Sequence, residues 1–194
     1  MLSFADSPQA KAQVAELVAE AERIHLADPE FRNELSKWIQ ERISEARALD
    51  SEALVRLRTG GYTPEPRAVS DLFVPIAASV ARSFSTGDAA AAHQQARTEA
   101  SPAVALLSTR KDTPRDWLAG GQALQRVLLT ATLANASSSY LNPPIEVPSL
   151  RHRIAAAFGR RDTPQILLRF GYGPEIPPTP RRPVRQVVTR LPPT

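Results

Sequence analysis

The pattern of apolar residues predicts two amphipathic helices near the N-terminus. The first begins after the N-cap pair Ser7-Pro8 and runs to about Ala27, because apolar side chains recur there every three or four residues. The second restarts at Asp28-Pro29 and has one apolar face, formed by Phe31, Leu35, Trp38, Ile39 and Ile43. We interpret Trp38 as a core aromatic and not as a cofactor contact, since aromatic residues at helical spacing usually belong to the core. We expect the two helices to pack against the rest of the core.

Residues 118–134 predict a longer helix, around which we expect the fold to be organised. Thr113 is the predicted N-cap, Pro114 and Asp116 suit the first turn, and Asn135 suits the left-handed conformation that ends many helices. Its apolar residues suggest two faces, one with Gly121, Leu124, Leu128, Ala131 and Thr132 and the other with Ala123, Val127, Thr130 and Ala134. A helix that is apolar nearly all round is expected to be buried.

Two adjacent glycines, Gly120 and Gly121, interrupt the apolar pattern of this helix. Each costs about 1 kcal/mol of helix propensity relative to alanine. We therefore expect a backbone, a partner helix or a flat ligand to approach the helix closely at this point. Tight helix packing is the simplest of these explanations.

Short apolar runs at residues 103–108, 140–141 and 166–170 predict three strands. A helix capped by Ser149 and stopped by Gly159 is predicted before the last strand. Two more helices are predicted at residues 51–57 and 88–96, the second of them rich in alanine. Strands that alternate with helices indicate a layered α/β or α+β sheet, with few strands for a free-standing sheet.

The chain has 194 residues, which favours a single domain. We divide it into N-terminal helices (1–59), a loop with an alanine-rich, lid-like segment (60–99), a core (100–173) and a C-terminal arm rich in proline and arginine (174–194). An apolar island at residues 72–76 either covers a pocket or lies in a plain surface loop. No apolar run reaches membrane-spanning length and residues 1–6 contain no basic segment, so we expect a cytoplasmic protein.

Positive charge is concentrated in the last quarter of the chain, where nine arginines stand against Asp162 and Glu175. Such a basic end suits a nucleic acid or a phosphorylated ligand. The alternative is that most of these arginines are ordinary solvated side chains. Stacking aromatics are few in this region, namely Phe158, Phe170 and Tyr172, which argues against binding to single-stranded nucleic acid.

Most sets of catalytic side chains are absent from the sequence. There is no cysteine, and His25, His93 and His152 are not in a metal-binding or nucleophile motif. The sequence also contains no G-x-S-x-G, Walker or G-x-G-x-x-G motif. We therefore predict no catalytic side chain and no metal site, and expect a cofactor to carry any chemistry.

Four motifs in the same order resemble the nitroreductase superfamily, and in particular its Acg-like branch. They are GGQALQRVLLTAT (120–132), YLNPPIE (140–146), PQILLRFGY (164–172) and PTPRRPV (178–184). The paired helices at residues 14–43 resemble the segment that precedes these motifs in that branch. The resemblance implies an α+β fold with α/β/α layers, helix-rich and with a small mixed sheet.

The resemblance further implies an FMN-binding oxidoreductase that passes hydride from NAD(P)H to nitroaromatic or quinone-type acceptors. The predicted FMN-binding residues are Gln122, Ser137, Ser138, Ser139, Arg181 and Arg182. Acg-like members look degenerate, so a protein that binds or sequesters flavin without turnover is the alternative. A basic nucleic-acid-binding module is the second alternative, for which the sequence gives less support.

This chain resembles only the C-terminal half of an Acg-like protein. The N-terminal Arg/Ser segment with which nitroreductases usually hold the FMN phosphate has no counterpart in it. We therefore expect the fold to be incomplete without a partner, which is either a second copy in a homodimer or a complementary half-chain.

Overall fold

The computed structural model describes the backbone of residues 1–48 and 87–173, their side chains except those of 39–48, and Val188. The chain divides into two compact units, Met1–Ser36 with Ser79–Gly173, and Lys37–Ala78 with Pro174–Thr194. The predictions for residues 51–57, 60–86 and almost all of 174–194 lie outside the described residues. In chain order the described elements are β1 (Leu2–Phe4), α1 (Pro8–Ala27), α2 (Pro29–Ala48), α3 (Gly87–Glu99), β2 (Ala103–Thr109), α4 (Pro114–Leu133), β3 (Ser137–Tyr140), α5 (Pro143–Glu146), α6 (Pro148–Ala157) and β4 (Thr163–Gly171).

The four described strands form one sheet in the order β1-β2-β4-β3, and all three pairings are antiparallel. Leu106 lies opposite Leu167 in the central pair, with a bulge between Leu107 and Ser108. For the strands that the structure describes, the prediction of a mixed sheet is therefore wrong. The strand β1 was not predicted, because three residues are too few to show an alternating pattern.

One face of the sheet packs against α1 and α6. The buried cluster here contains Val14, Leu17, Val18, Ala21, Val104, Leu106, Leu141, Val147, Leu150, Ile154 and Leu167. Its strand residues come from β2 and β4, and the apolar stripe of α1 covers them as the spacing predicts. The helix α3 packs on α1, where Gln94 donates to the buried carboxylate of Glu22 at 3.3 Å.

The helix α4 covers the opposite face of the sheet. The strand residues next to those of the first cluster point to this second face, because successive side chains in a strand alternate between the two faces of the sheet. They are Ala105, Leu107 and Leu168, and all three are almost fully buried. The helix α4 contacts β2, β3 and β4. The described part of the chain is thus an α+β fold with helices on both faces of a small antiparallel sheet.

Most helix ends follow the predicted signals. Ser7 caps α1 by accepting from the Ala10 N–H at 3.0 Å, and Asn135, with φ of 54°, follows the end of α4. Gly159 has φ of 62° after α6. The predicted cap at Ser149 is wrong, because α6 begins at Pro148 and Val147 occupies the N-cap position without a side-chain hydrogen bond.

Two predictions about burial are also wrong. Trp38 is 58% exposed and is not a core residue. The long helix α4 is not buried, since Gly120 is its one buried residue. Among the described helices, none combines the length and the apolar character that a membrane-spanning helix requires.

Candidate functional site

The first turn of α4 is fixed by a capping box. Pro114 occupies the first helical position, where its missing N–H costs nothing. The Thr113 Oγ1 accepts from the Asp116 N–H at 3.4 Å, and the Asp116 carboxylate accepts from the Thr113 N–H at 3.3 Å and from its hydroxyl. This reciprocal arrangement confirms the predicted helix start.

Asp112, just before the capping box, joins three other parts of the fold to α4. Its carboxylate accepts from Arg151 at 2.7 and 3.2 Å, from the Trp117 indole at 2.6 Å and from Gln165 at 3.1 Å. Gln165 also donates to the Thr109 hydroxyl at 2.8 Å. Hydrogen bonds from Arg151, Trp117 and Gln165 lower the pKa of Asp112 from 3.8 to about 2. The network therefore ties the start of α4 to β2, α6 and β4.

The two glycines of α4 have different surroundings. Gly120 is buried against the sheet, and a methyl group in place of its hydrogen would lie 3.8 Å from Gln165 and 3.9 Å from Thr109. Gly121 faces open space, with no heavy atom within 4 Å of that position. Within the described residues, no group lies so close to either glycine that a side chain could not fit there.

The two faces of α4 differ from those predicted. The face that is at least partly buried against the sheet consists of Asp116, Gly120, Ala123, Leu124, Val127, Leu128 and Ala131. The opposite face, which we call the outer face of α4, consists of Arg115, Leu118, Gly121, Gln122, Gln125, Leu129, Thr132 and Leu133. Three leucines of the outer face are 74%, 59% and 87% exposed, in chain order. An exposed apolar face of this kind indicates a binding surface.

The predicted serine cluster forms the edge strand β3, where the side chains alternate between the two faces of the sheet. Ser138 and Tyr140 lie opposite Phe170 and Leu168 respectively, on the α4 side. Ser137 and Ser139 point to the other side. Tyr140, which sequence reasoning did not single out as a ligand contact, is 53% exposed beside α4.

Gln122 and the three predicted serines belong to two different elements, α4 and β3. Gln122 is exposed on the outer face of α4 and lies eleven residues before Leu133, which corresponds to about 16 Å along the helix axis. The predicted phosphate contacts Arg181 and Arg182 lie outside the described residues. The six predicted FMN-binding residues therefore remain a prediction.

Sequence reasoning missed the polar network around Asp112. Arg151 is 39 residues and Gln165 is 53 residues from Asp112 in the sequence, and no local pattern links them. The one available signal was the acid immediately before a predicted N-cap, which places a carboxylate at the positive end of the helix.

Most described arginines of the basic C-terminal region are engaged. Arg151, Arg153 and Arg160 form ion pairs with Asp112, Glu20 and Asp162 at 2.7, 2.8 and 2.6 Å. Arg169 donates to the Arg97 carbonyl at 3.4 Å. An open cleft of about 480 Å³ beside α6 is lined by several of these side chains together with His152 and Arg161.

Comparison with known proteins finds relatives that match part of this chain. "Putative NAD(P)H nitroreductase Rv3131" of Mycobacterium tuberculosis is 38% identical over 91 residues, which are 44% of this chain and 26% of that protein. "Putative NAD(P)H nitroreductase acg" of the same organism is 39% identical over 88 residues, 43% of this chain and 27% of that protein. This stretch is related to the Acg-like nitroreductases.

A third relative in that organism, "Uncharacterized protein Rv3127", is 36% identical over 89 residues. The matched stretch spans about a quarter of the length of each of these three relatives. No family model and no solved structure matches the chain. The names of the first two relatives support the resemblance to the nitroreductase family.

Proposed function

We propose that this chain forms part of an FMN-binding oxidoreductase of the nitroreductase type, with NAD(P)H as hydride donor and a nitroaromatic or quinone-type compound as acceptor. When bound, FMN supplies the reversible two-electron chemistry that the side chains lack. The relation to the Acg-like nitroreductases supports the reaction class. The exposed outer face of α4 is the structural observation that carries the proposal.

We assign two of the three features that a flavin site needs to described residues. Such a site requires an apolar wall for the ring, polar groups at the ring edge and cations for the phosphate. Leu118 and Leu129 provide an uncharged apolar wall on α4, and the amide of Gln122 can both donate and accept at its edge. On β3, the Ser138 hydroxyl and the exposed ring of Tyr140 lie on the side of the sheet that α4 covers, whereas Leu118 and Leu129 face away from the sheet. We therefore assign Ser138 and Tyr140 to the margin of the site and not to its apolar wall.

The remaining predicted contacts complete this assignment. Ser137 and Ser139 belong to an edge strand, so we assign them to the site through their position on β3 and not through side chains that face α4. Arg181 and Arg182 supply the cations for the phosphate. A second protein chain, either another copy or a complementary half-chain, forms the other wall of the groove.

Flavin binding is tested first. The purified full chain is mixed with FMN at micromolar concentration and separated from free flavin by gel filtration. The protein fraction is then examined for the flavin absorbance band at about 450 nm. We expect the Gln122→Ala variant to bind FMN roughly fivefold more weakly, because a hydrogen bond of about 1 kcal/mol is lost. The matched control is Gln13→Ala, which removes an exposed glutamine from α1, on the opposite side of the sheet. A chain that takes up no FMN would refute the proposal.

Reduction by NAD(P)H then separates the enzyme from its first alternative. Anaerobic bleaching of the flavin band by NADPH or NADH, followed by recovery on addition of a nitroaromatic compound or a quinone, supports an oxidoreductase. Bound flavin that neither nucleotide reduces supports a protein that sequesters flavin.

The second alternative, a nucleic-acid-binding module, has less structural support. Three of the described arginines of the basic region already pair with carboxylates, which reduces the positive charge available to phosphates. Binding to DNA or RNA with an affinity that falls steeply with salt would favour this alternative.

A further inference from the structure

Arg169 on β4 is a partly buried cation without a carboxylate partner. It lies opposite Val104 of the buried cluster, so its side chain leaves the sheet on the side that α1 and α6 cover. Within the part of the chain that the structure describes, its guanidinium donates one hydrogen bond, to the Arg97 carbonyl at 3.4 Å, and forms no ion pair. A guanidinium has five N–H donors. Most of them therefore meet no other group of the described chain.

A second cation, Arg97 on α3, lies beside Arg169. Burial and the charge of Arg97 both lower the pKa of Arg169, so the positive charge at this position is disfavoured for two reasons. The Arg97 side chain is exposed and likewise has no ion pair among the described residues. The acid nearest to it in the sequence, Glu99, accepts from Gln95 at 3.1 Å. Two neighbouring cations of this kind are stabilised when an anion lies between them.

Capping of α3 does not account for Arg169. The last carbonyls of a helix can accept from a cation, and Arg97 lies in the last turn of α3. However, the Arg97 carbonyl already accepts from the Ser101 hydroxyl at 2.7 Å, and the Ser101 carbonyl accepts from Lys11 at 2.8 Å. The bond from Arg169 is longer than the roughly 3.2 Å at which N–H···O bonds usually end. One long bond to an occupied acceptor compensates poorly for a partly buried charge.

A hydroxyl group of the edge strand β3 lies on the same side of the sheet. Ser139 is directly opposite Arg169 in the register, so the two side chains point in the same direction. The Cβ atoms of such a pair are about 5 Å apart. Ser139 is partly buried, and its hydroxyl forms no hydrogen bond within the described residues. Two guanidinium groups and one hydroxyl donor are thus available at one place.

We propose that Arg97, Arg169 and Ser139 bind a phosphate group, either of a free phosphate ion or of a small phosphate ester. A guanidinium can donate two parallel hydrogen bonds to phosphate. At neutral pH the phosphate carries up to two negative charges and can compensate both cations, whereas a carboxylate can compensate only one. Ser139 belongs to the proposed flavin groove only through its position on β3. The phosphate site therefore goes beyond the proposed function and does not depend on it.

The surrounding charges favour a small ligand over a nucleic acid. A nucleic acid is bound by a stripe of cations that follows its backbone. Three other described arginines of the C-terminal region pair with carboxylates, so they do not extend the positive surface. The unpaired cations at this place are limited to Arg97 and Arg169, which suits a single phosphate group.

The first test is thermal unfolding of the flavin-free full chain in chloride and in phosphate, at equal pH and ionic strength so that screening does not differ. With a dissociation constant of about 1 mM, phosphate at about 20 mM raises the folding equilibrium constant about twentyfold. For a chain of this size, that corresponds to an increase in Tm of about 4 to 7 °C. Phosphate also stabilises proteins in general. The response specific to this site is therefore the part that Arg169→Met removes.

Arg126→Met is the matched control, because Arg126 is exposed on α4 and its replacement removes the same charge. We expect this variant to keep the full response to phosphate. Ser139→Ala leaves the charge unchanged and should weaken phosphate binding roughly fivefold, since it removes one hydrogen bond.

The sign of the change in chloride gives a second test. If Arg169 is retained for an anion, its charge is uncompensated in chloride, and Arg169→Met should leave the Tm unchanged or raise it. If Arg169 is retained as a helix cap, the same variant should have a lower Tm. A titration of the wild-type chain with phosphate, followed by amide NMR shifts, requires no variant. We expect saturable shifts at residues 97, 139 and 169 and none at residue 126.

The source of the phosphate group is distinguished with AMP and adenosine. A larger increase in Tm with AMP than with phosphate assigns the site to a phosphate ester, and equal increases assign it to the free ion. Adenosine, which lacks the phosphate, should have no effect.

Four outcomes would overturn the proposal: an equal phosphate response of the wild type and Arg169→Met, a lower Tm of that variant in chloride, an oligonucleotide that binds more tightly than AMP, or loss of FMN uptake by Arg169→Met. The last result would mean that the phosphate belongs to the flavin itself. A chain that binds phosphate at this site but takes up no FMN would refute the proposed function and leave the phosphate site intact.

Discussion

Gly120 lies in the centre of the contact between α4 and the sheet, and its replacement by alanine tests how tightly the two pack. The added methyl group would lie 3.8 Å from the side chain of Gln165 and 3.9 Å from Thr109. These are ordinary van der Waals distances, so no neighbour has to move. We predict that Gly120→Ala stabilises the chain.

Two effects contribute to the predicted stabilisation. Alanine is more favourable than glycine in a helix interior by about 1 kcal/mol. Burial of one methyl group adds up to about 0.8 kcal/mol. The free energy of unfolding should therefore rise by about 1 to 2 kcal/mol. For a chain of this size that corresponds to an increase in Tm of about 3 to 6 °C.

Urea unfolding and calorimetry of the flavin-free chain measure this change, with two other glycines as controls. At Gly171 a methyl group would lie 3.3 Å from the Pro102 ring, which cannot easily move, so Gly171→Ala should be destabilising. Gly159 has φ of 62°, and Gly159→Ala should cost about 1 kcal/mol. If Gly120→Ala lowers the Tm as Gly171→Ala does, the helix packs more tightly on the sheet than we describe.

Two further predictions concern the network at the start of α4 and the core. The pKa of Asp112 is lowered to about 2 from 3.8, so its ion pair stabilises the fold above pH 3.8 and this contribution is lost as the pH falls towards 2. Asp112→Asn should lower the urea midpoint at pH 7 and flatten the loss of stability between pH 4 and 2; an unchanged profile would contradict this. Leu106→Ala, at a fully buried position, should cost about 2 to 5 kcal/mol. The same truncation at Leu118, which is 74% exposed, should change the stability of the dilute monomer by less than about 0.5 kcal/mol, and equal losses would refute the assignment of the core.

Local signals predicted the elements of this fold well. The N-caps at Ser7 and Thr113 and the left-handed residue Asn135 place the ends of α1 and α4 where the structure has them. The strands predicted at residues 103–108 and 166–170 are confirmed, whereas the strand predicted at residues 140–141 begins at Ser137 and ends at Tyr140. These features depend on neighbouring residues, which is why a single sequence reveals them.

Burial and strand direction were predicted less well, because both depend on distant parts of the chain. The apolar character of α4 indicates that its faces are covered, but it does not say by what. One face meets the sheet of its own chain, and Leu118, Leu129 and Leu133 on the other remain exposed. The antiparallel direction of the sheet depends on the path that the chain takes between β2 and β4. The polar network around Asp112 depends on contacts with residues up to 53 positions away.

The position of β4 in the sheet affects how this protein folds during synthesis. The strand is the last one described, yet it separates β2 from β3. At about 5 to 20 residues per second, a ribosome needs roughly 2 to 6 seconds to pass from the end of β3 to the end of β4. Until β4 has been synthesised, β3 has no neighbouring strand to pair with, and α4 lacks one of the strands on which it packs. The nascent chain therefore exposes both apolar sides of that helix, and we expect a holding chaperone to bind it during this interval.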